Sequence, residues 1–269
     1  MDTSPQDYRK TIVNYPLKKR IAIIADFDLT LTEEFQQEPI IREYLDSVKK
    51  AYDGKTIRSY VNGGLKESII KIEKPGDWFR LSDAWAVPHN GVAWVSQFLY
   101  DIKQGVLPPL SKRDLRDFWA PKIKLSPGMP EIIEDLRKEF EGECYIGFYI
   151  ASVGISDLIL GTKIGEVADD VYSSELVSLD AIMNYPNDLS KQETMPVDSP
   201  RNVIKPFGKT ECIIKTAKGA PEKLDDLVRN KDLRYSYRNV IYLGDGTSDV
   251  STFAYLKKKG ASVLCVYEE

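Results

Sequence analysis

Three apolar, β-branched segments of this chain each run directly into polar residues. They are "RIAIIAD" at 20–26, "CYIGFYIAS" at 144–152 and "NVIYLGD" at 239–245, and shorter candidates are "ADDVYSSEL" at 168–176 and "ASVLCVYEE" at 261–269. Continuous apolar runs of this kind are typical of strands that are buried on both faces of a parallel sheet. This feature restricts the fold to classes in which helices cover both faces of a sheet.

Helical patterns alternate with these strands. They lie at 129–140, 155–167, 209–219 and 248–260. The alternation predicts an α/β fold with a doubly wound, mostly parallel sheet and a Rossmann-like core. In such sheets ligands bind beyond the carboxyl ends of the strands. Asp26, Ser152 and Asp245 each end one of the three best strands, so we expect them to meet at one edge of the sheet.

The segment 33–122 breaks this alternation because it contains no convincing buried strand. It has the helical stretches "EPIIREYLDSVKKAY", "NGVAWVSQFLYDIKQG" and "SKRDLRDFW". All four tryptophans of the chain lie in it, and they are Trp78, Trp85, Trp94 and Trp119. We predict a mainly helical cap domain with its own core at 33–122, inserted into an α/β core formed by 1–32 and 123–269. The polar stretch 183–202 is predicted to be an exposed loop or hairpin.

Composition excludes several classes of function. The chain has 269 residues, of which 42% are hydrophobic and 29% charged, with a net charge of -4, so a polyanionic partner such as nucleic acid is not expected. Its apolar runs are too short for a membrane span. The cysteines are isolated and His89 is the single histidine, predicted in a loop, so zinc sites, disulfides and a Ser-His-Asp mechanism are disfavoured. The polar N-terminal stretch lacks a hydrophobic targeting core, so a secretory signal is not expected. The isolated cysteines suit a reducing environment, so a cytoplasmic location is expected.

A pair of aspartates, Asp26 and Asp28, ends the first predicted strand. Two carboxylates about 4 Å apart repel by about 4 kcal/mol at an effective dielectric constant of about 20. Mg²⁺ removes this repulsion, and it typically binds one or two protein carboxylates together with water and a phosphate. A second acidic turn, "YLGDGTSDV" at 242–250, follows the third strand and contains Asp245 and Asp249. Together the two turns predict a Mg²⁺ site at the edge of the sheet.

Two further positions suit a phosphoryl group. Ser152 is predicted at a strand end, followed by Gly154 and a helix, so its hydroxyl and the helix N–H groups can hold phosphate oxygens. Lys209 is predicted at a helix start, where its charge adds to the positive end of the helix dipole. Lys205 precedes Pro206, which favours an extended conformation away from a helix start. We therefore expect Lys209, and not Lys205, at the phosphate site.

In this order and at these element boundaries, the motifs resemble those of the haloacid dehalogenase-like (HAD) superfamily, on its phosphatase branch. "DFDLTLT" at 26–32 is similar to the first motif of that family and "GDGTSD" at 244–249 to the fourth. Ser152 and Lys209 match the second and third motifs. "LSPGMPEIIEDLRK" at 125–138 resembles the return from cap to core, and the insertion resembles the cap of the phosphoserine phosphatase-like subgroup.

The resemblance implies a two-step hydrolysis of a phosphomonoester. Asp26 attacks phosphorus and forms an aspartyl-phosphate, while Asp28 protonates the leaving oxygen and then deprotonates the attacking water. The Mg²⁺ ion is held by Asp26, the backbone carbonyl of Asp28 and Asp245.

The resemblance also implies which residues surround the phosphate. Thr30, Ser152 and Lys209 form the phosphate-binding group, and Thr30 also supports Asp28. Asp249 acts through metal-bound water and through Lys209.

Other activities are consistent with the same motifs. A phosphotransferase or phosphomutase would keep all of them, and only the reaction products distinguish it from a hydrolase. A non-catalytic phosphate-binding module would also look similar, although it need not retain both Asp26 and Asp28.

The substrate is less well defined than the reaction. Phosphoserine phosphatases carry a glutamate soon after the first motif, but Phe35 occupies that spacing here, beside Glu33, Glu34 and Glu38, which argues against phosphoserine. An insertion that closes over Asp26 would exclude water and leave little room for a folded protein. We therefore expect a small-molecule phosphomonoester, not a phosphoprotein.

Overall fold

The centre of the molecule is a mostly parallel sheet. The computed structural model describes residues 12–267, apart from 62–63, 80, 82–92, 220–223 and 225–227. Its strands are β1 (Arg20–Ala25), β2 (Thr56–Val61), β3 (Gly64–Ile69), β4 (Tyr145–Ile155), β5 (Asp170–Val177), β6 (Ser199–Asn202), β7 (Val240–Gly244) and β8 (Ser262–Cys265). Six of them form one sheet in the order β6-β5-β4-β1-β7-β8. Only β6, at one edge, pairs antiparallel, so the predicted fold class is confirmed.

Alternate residues of the central strands face two separate hydrophobic cores, as the pleat of a strand requires. On β1, Ile23 and Ala25 pack into one cluster, and Ala22 and Ile24 pack into the other. None of these four side chains is more than 8% exposed. Burial on both faces explains why β1 is an uninterrupted apolar run in the sequence.

Helices cover both faces of the sheet. They are α1 (Glu38–Glu43), α2 (Leu45–Tyr52), α3 (Ala93–Lys103), α4 (Glu131–Glu139), α5 (Ser156–Leu160), α6 (Lys163–Val167), α7 (Leu179–Asn184), α8 (Leu189–Thr194), α9 (Gly208–Lys218) and α10 (Val250–Lys259). Residues of α4, α5 and α6 belong to the cluster with Ile23, and residues of α9 and α10 to the cluster with Ile24. The helices predicted at 129–140, 209–219 and 248–260 correspond to α4, α9 and α10.

The single helix predicted over 155–167 is wrong, because the chain forms two short helices there. Thr162 begins α6 as its N-cap, and its Oγ1 accepts a hydrogen bond from the Gly165 N–H at 3.2 Å. A Cβ atom at Gly161 would lie 2.1 Å from the carbonyl oxygen of Arg116, so only glycine allows this close packing. A local cap and a tertiary contact therefore divide an apolar pattern that is continuous in sequence.

The insertion between β1 and β4 contains more than helices. It holds α1, α2, α3, a helical turn at 75–79 and a π-helical segment at Asp114–Trp119. It also holds the antiparallel hairpin β2–β3, which was not expected. The Asn-Gly pair at 62–63 is a common sequence signal for such a hairpin. The division into a core and a cap at residues 33 and 122 stays a prediction.

Three of the tryptophans are buried as expected. Trp78, Trp94 and Trp119 are 0%, 5% and 3% exposed. Their hydrophobic cluster is not confined to the insertion, because it is continuous with Ile23 on one face of the sheet. Trp85 and His89 lie outside the described residues.

The prediction of a loop or hairpin at 183–202 is wrong in part. This stretch is largely exposed, but it contains α8 and the edge strand β6. Asp188 is the N-cap of α8, and its Oδ1 accepts a hydrogen bond from the Lys191 N–H at 3.1 Å. The N-cap hydrogen bond, and not a buried apolar face, therefore stabilises this polar helix. In the described part of the chain, no helix has the length and apolar character needed to cross a membrane.

Candidate active site

Asp26 is held at the carboxyl end of β1. Its N–H donates to the Leu243 carbonyl at 2.9 Å, which continues the pairing of β1 with β7 one residue beyond the strand. Its Oδ1 accepts a hydrogen bond from the Phe27 N–H at 2.8 Å. Its Oδ2 lies 2.6 Å from Lys209 Nζ. With only 5% of its surface exposed, Asp26 presents a buried carboxylate in a defined orientation.

Asp28 is held by Gln36, a residue that sequence reasoning missed. The backbone N–H of Gln36 donates to Asp28 Oδ1 at 2.7 Å, and its side-chain Nε2 donates to Oδ2 at 2.9 Å. The same side chain accepts a hydrogen bond from the Ile155 N–H at 2.8 Å through its Oε1. Gln36 is fully buried and joins the first acidic motif to the end of β4. Both oxygens of Asp28 are therefore fixed.

Gly154 makes room for this link. A Cβ atom at that position would lie 1.7 Å from Gln36 Nε2. Because glycine has no side chain, the amide can approach the backbone of β4 closely. The glycine two residues after Ser152 is the one sequence signal that points to such an approach. It does not identify the partner.

Two threonines in the turn after β1 have different hydrogen-bond environments. Thr30 is buried, and its Oγ1 has no hydrogen-bond partner among the described residues. Thr32 Oγ1 accepts a hydrogen bond from the Leu29 N–H at 3.1 Å and donates to the Glu34 carbonyl at 2.7 Å. Leu29 has a φ of 58°, a left-handed conformation that costs energy for a leucine. Thr32 therefore stabilises the turn.

Ser152 lies inside β4, not at its end as predicted, because the strand continues to Ile155. The regular pairing with β5 stops at Ala151 and resumes only at Ile155. In this irregular stretch Ser152 Oγ accepts a hydrogen bond from the Gly154 N–H at 2.9 Å. The Ile155 N–H is bound by Gln36, so the N–H groups of Gly154 and Ile155 both have partners within the protein. The next helix, α5, begins at Ser156, and binding of phosphate by its N–H groups stays a prediction. The Ser152 hydroxyl still has its own proton to donate.

Lys209 supplies a buried positive charge to the site. It lies in the first turn of α9 and is fully buried. Its Nζ is 2.8 Å from Asp249 Oδ1 and donates to Ser248 Oγ at 3.0 Å, in addition to its contact with Asp26. Lys205, one turn earlier, is exposed. A buried ammonium group thus bridges the first and the fourth acidic motifs.

Asp249 is fully buried and faces Lys209, and its side chain does not cap α10. Tyr242 OH donates to Asp249 Oδ1 at 2.6 Å. A Cβ atom at Gly244 would lie 2.6 Å from Asp249 Cγ, so the glycine of the acidic turn is needed for this packing. Asp245 is half-buried at the same turn.

The carboxylates of Asp26, Asp245 and Asp249 form one cluster. Each offers an oxygen, and these oxygens all lie within 4.8 Å of one another. Hard oxygen ligands of this kind suit Mg²⁺. The prediction named Asp26, Asp245 and the backbone carbonyl of Asp28, so the structure adds Asp249 to the acidic group. Lys209 contacts both Asp26 and Asp249, and Asp249 also accepts a hydrogen bond from Tyr242.

Burial dominates the electrostatics of these groups. Loss of water raises the pKa of Asp26 to about 7, although the Lys209 ammonium opposes this. Burial raises the pKa of Asp28 to about 6, against the hydrogen bonds from Gln36. Burial also raises the pKa of Asp245, helped by the charge of Asp249. For Lys209, burial lowers the pKa, but the carboxylates of Asp26 and Asp249 outweigh it and raise the pKa above its ordinary value.

Comparison with known proteins gives solved structures of similar fold and a relative of similar sequence. A phosphoserine phosphatase in apo form is 16% identical, with 92% of this chain and 94% of that chain covered and a TM-score of 0.50. An HAD family hydrolase from Salmonella enterica serovar Typhi is 14% identical, with 97% and 77% covered and a TM-score of 0.53. An uncharacterized protein of Borreliella burgdorferi is 26% identical over 255 residues, which are 92% of this chain and 83% of its own. No protein-family model matches the chain. The chain therefore has the fold of HAD-type phosphatases.

Proposed function

We propose that this chain is a Mg²⁺-dependent phosphomonoester phosphatase that works through an aspartyl-phosphate on Asp26. The observation that carries the proposal is the buried Lys209 ammonium, 2.6 Å from Asp26 and 2.8 Å from Asp249. Three clustered carboxylates, one ammonium and one divalent cation sum to zero charge. Such a site can accept an anionic phosphoryl group, whereas the carboxylates alone would repel it.

The positions of the two aspartates after β1 support a two-step reaction. A carboxylate oxygen of Asp26 forms a bond to phosphorus, the bond from phosphorus to the substrate oxygen breaks, and Asp28 gives that oxygen its proton. Asp28 then takes a proton from water as the water oxygen attacks phosphorus, which releases inorganic phosphate and restores Asp26. Gln36 holds Asp28 in one orientation through both steps, since it binds both carboxylate oxygens.

The remaining site residues bind and orient. Asp26, Asp245 and the backbone carbonyl of Asp28 would hold the Mg²⁺ ion, which supplies positive charge that neutralises the substrate. Ser152 and Lys209 would donate to the phosphoryl oxygens, and Thr30, whose hydroxyl is buried without a partner among the described residues, belongs to the same group. Asp249 positions Lys209 by its contact at 2.8 Å.

The proposed substrate is a small phosphorylated metabolite other than phosphoserine, hydrolysed in the cytoplasm. The apo phosphoserine phosphatase has the same fold, but that likeness alone does not specify a substrate. At the spacing where phosphoserine phosphatases carry a glutamate, Phe35 stacks on Phe79 with ring centroids 4.3 Å apart. A phenyl ring in this position offers no charge to a substrate amine.

A hydrolysis screen tests the proposal. Purified protein with Mg²⁺ should release inorganic phosphate from several phosphomonoesters, and a chelator should abolish the release. Analysis of products in the presence of acceptor alcohols separates a hydrolase from a phosphotransferase. Binding of phosphate without turnover of any phosphomonoester would contradict the proposal and indicate a binding module.

A further inference from the structure

A cavity of about 900 Å³ lies between the insertion and the chain that leads from β6 to α9. On the insertion side Ile57, Ile70 and Val95 are among its lining residues, and Val203 and Lys205 belong to the opposite side. Ligand sites in proteins typically have volumes of roughly 300–1,000 Å³ and mainly apolar walls with a few polar groups. The cavity matches that description in size and in lining.

One wall of the cavity is hydrogen-bonded to the sheet. The Ile204 N–H donates to Ser174 Oγ at 3.1 Å, and the Ser174 hydroxyl donates to the Val153 carbonyl at 3.0 Å. The wall on either side of Ile204 is therefore tied to β5 and to the carboxyl-terminal part of β4. Val153 directly follows Ser152, which is proposed to bind the phosphoryl group.

The same wall leads directly to Lys209. The carbonyl of Lys205 accepts a hydrogen bond from the Gly208 N–H at 2.8 Å. Turns of this kind keep their first and fourth Cα atoms within about 7 Å of each other. Lys209 follows at once and contacts Asp26. One turn of chain therefore connects Lys205 in the cavity wall to the lysine that contacts Asp26.

The charges that line the cavity are positive. Lys55 and Lys205 line it, and no carboxylate does so among the described residues. The Lys55 ammonium lies 5.3 Å from the centroid of the Tyr52 ring. Asp101, the nearby carboxylate, is itself bound by Tyr52 and Gln97. Apolar walls with two ammonium groups suit a molecule that is apolar along its length and carries a negative charge.

We infer that this cavity binds the alcohol part of the substrate, and that the substrate is a phosphomonoester whose alcohol combines an apolar chain or ring with a second anionic group. The phosphoryl group lies at Asp26, the apolar part lies between Ile57 and Val203, and the second anion meets Lys55 or Lys205. The substrate assignment rests on the proposed phosphatase function, whereas binding of an apolar anion in the cavity does not.

Binding is tested without catalysis, using the dye 8-anilinonaphthalene-1-sulfonate as an apolar anion. The full-length protein should bind it at one saturable site. Ser96→Trp, at an exposed position of α3 that lines the cavity, should weaken binding about tenfold or more by filling the space. Ser190→Trp, at an exposed position of α8, is the matched control and should bind as the wild type does. Absence of saturable binding, or equal affinity in Ser96→Trp, would overturn the inference.

The lysines are tested with the same dye. Lys205→Ala should weaken binding roughly two- to fivefold, as expected for one partly solvated charge pair. Lys103→Ala removes an exposed lysine of α3 that does not line the cavity, and it should leave the affinity unchanged. If Lys205→Ala, Lys55→Ala and the control Lys103→Ala all bound the dye with the same affinity, the proposed role of the two cavity lysines would be wrong.

Kinetics then connect the cavity to the substrate. The kcat/KM for a long ω-carboxyalkyl phosphate should exceed that for methyl phosphate about tenfold or more, and Ser96→Trp should reduce this ratio while Ser190→Trp preserves it. A ratio near one in the wild type, or an unchanged ratio in Ser96→Trp, would refute the substrate assignment. If no phosphomonoester is hydrolysed, the proposed phosphatase function fails, and the dye experiments still decide whether the cavity binds apolar anions.

Discussion

Two regions of the molecule bury an aspartate in opposite ways, one at the carboxyl edge of the sheet and one inside the insertion. Asp101 in the insertion is fully buried and is bound by neutral donors. Trp78 Nε1 donates to it at 2.7 Å and Gln97 Nε2 at 2.9 Å, and Tyr52 OH donates as well. All three of these donors lie in the insertion, so among the described residues this carboxylate joins the helices of the insertion to one another.

Asp26 at the sheet edge is instead bound by a charged side chain. Its oxygen lies 2.6 Å from the Lys209 ammonium, and Asp245 and Asp249 add two more carboxylates within reach of one ion. Lys209 alone does not balance them. Neutral donors around a buried carboxylate thus indicate a structural role, whereas an excess of negative charge around a buried cation indicates a site that binds further ions.

Among the variants considered, Asp26→Asn should reduce activity most strongly. We expect phosphate release to fall by at least about a thousandfold, because an amide is a very poor nucleophile toward phosphorus. The melting temperature should stay within about 3 °C of wild type, since the single amide oxygen can still accept from the Phe27 N–H and Lys209 keeps its ion pair with Asp249. Asp135→Asn, at an exposed position of α4, is the control and should keep full activity. Phosphate release by purified Asp26→Asn above a blank preparation would contradict the nucleophile assignment.

Lys209→Met removes the charge that distinguishes the sheet edge. It leaves two buried carboxylates without their cation, so we expect unfolding by denaturant to show a loss of about 3–5 kcal/mol. Activity toward p-nitrophenyl phosphate should fall by about a hundredfold or more. Lys205→Ala is the comparison variant and should lose much less activity with this substrate. A larger loss of kcat/KM in Lys205→Ala would show that the phosphate site has been assigned to the wrong lysine.

Asp101→Asn tests the structural role of the buried aspartate in the insertion. The amide cannot accept from all three donors, so the free energy of unfolding should fall by about 1–3 kcal/mol, with activity unchanged in the folded protein. Asp46→Asn on α2 is the exposed control. Loss of phosphatase activity in folded Asp101→Asn would contradict its purely structural role.

The same variant has an expected pH signature. Burial raises the pKa of Asp101 above its ordinary value of 3.8, against the hydrogen bonds from Tyr52, Trp78 and Gln97. A raised pKa means that the folded protein holds the proton more tightly, so this contribution to stability is present at pH 3.8 and below and is lost as the pH rises through the folded-state pKa. The stability difference between wild type and Asp101→Asn should therefore narrow with rising pH. A difference that widens would contradict the raised pKa.

Gln36→Leu should reduce activity least among the site variants, and it tests how Asp28 is positioned. Without the amide, Asp28 loses one hydrogen bond and Ile155 N–H loses its acceptor, so the proton donor is less well positioned. We expect kcat to fall roughly tenfold for alkyl phosphates and less for p-nitrophenyl phosphate, whose leaving group needs less help from a proton. Gln192→Leu on α8 is the control. Equal losses for both substrates would indicate a general structural effect instead.

Much of the sheet edge was predictable because its signals are local. The acidic residues at 26, 28 and 245 follow apolar runs, and a strand that is buried on both faces leaves such a run in any sequence. The position of Lys209 at a helix start was visible from Gly208 and the apolar pattern that follows. Ser152 was predicted at a strand end, but its place inside an irregular strand was not, because a break in pairing depends on the neighbouring strand.

The insertion was less predictable because its pattern is mixed. The tryptophans marked buried positions, but their cluster is shared with Ile23 of the sheet, and a cluster between distant segments leaves no periodicity in either one. The hairpin β2–β3 was missed although Asn-Gly at 62–63 is a typical turn signal, because helical patterns on both sides dominated the interpretation.

The α/β fold and the order of the acidic, serine and lysine motifs could be derived from the sequence, since a buried strand and the polar residues that follow it are adjacent in the chain. Which of these groups are in contact depends on the tertiary structure. Gln36 binds Ile155 across 119 positions of the chain, and Lys209 joins Asp26 to Asp249. The cavity between the insertion and Val203 was also absent from any sequence pattern. Such contacts depend on how separate elements pack, and no local periodicity records the partner that packing brings to a side chain.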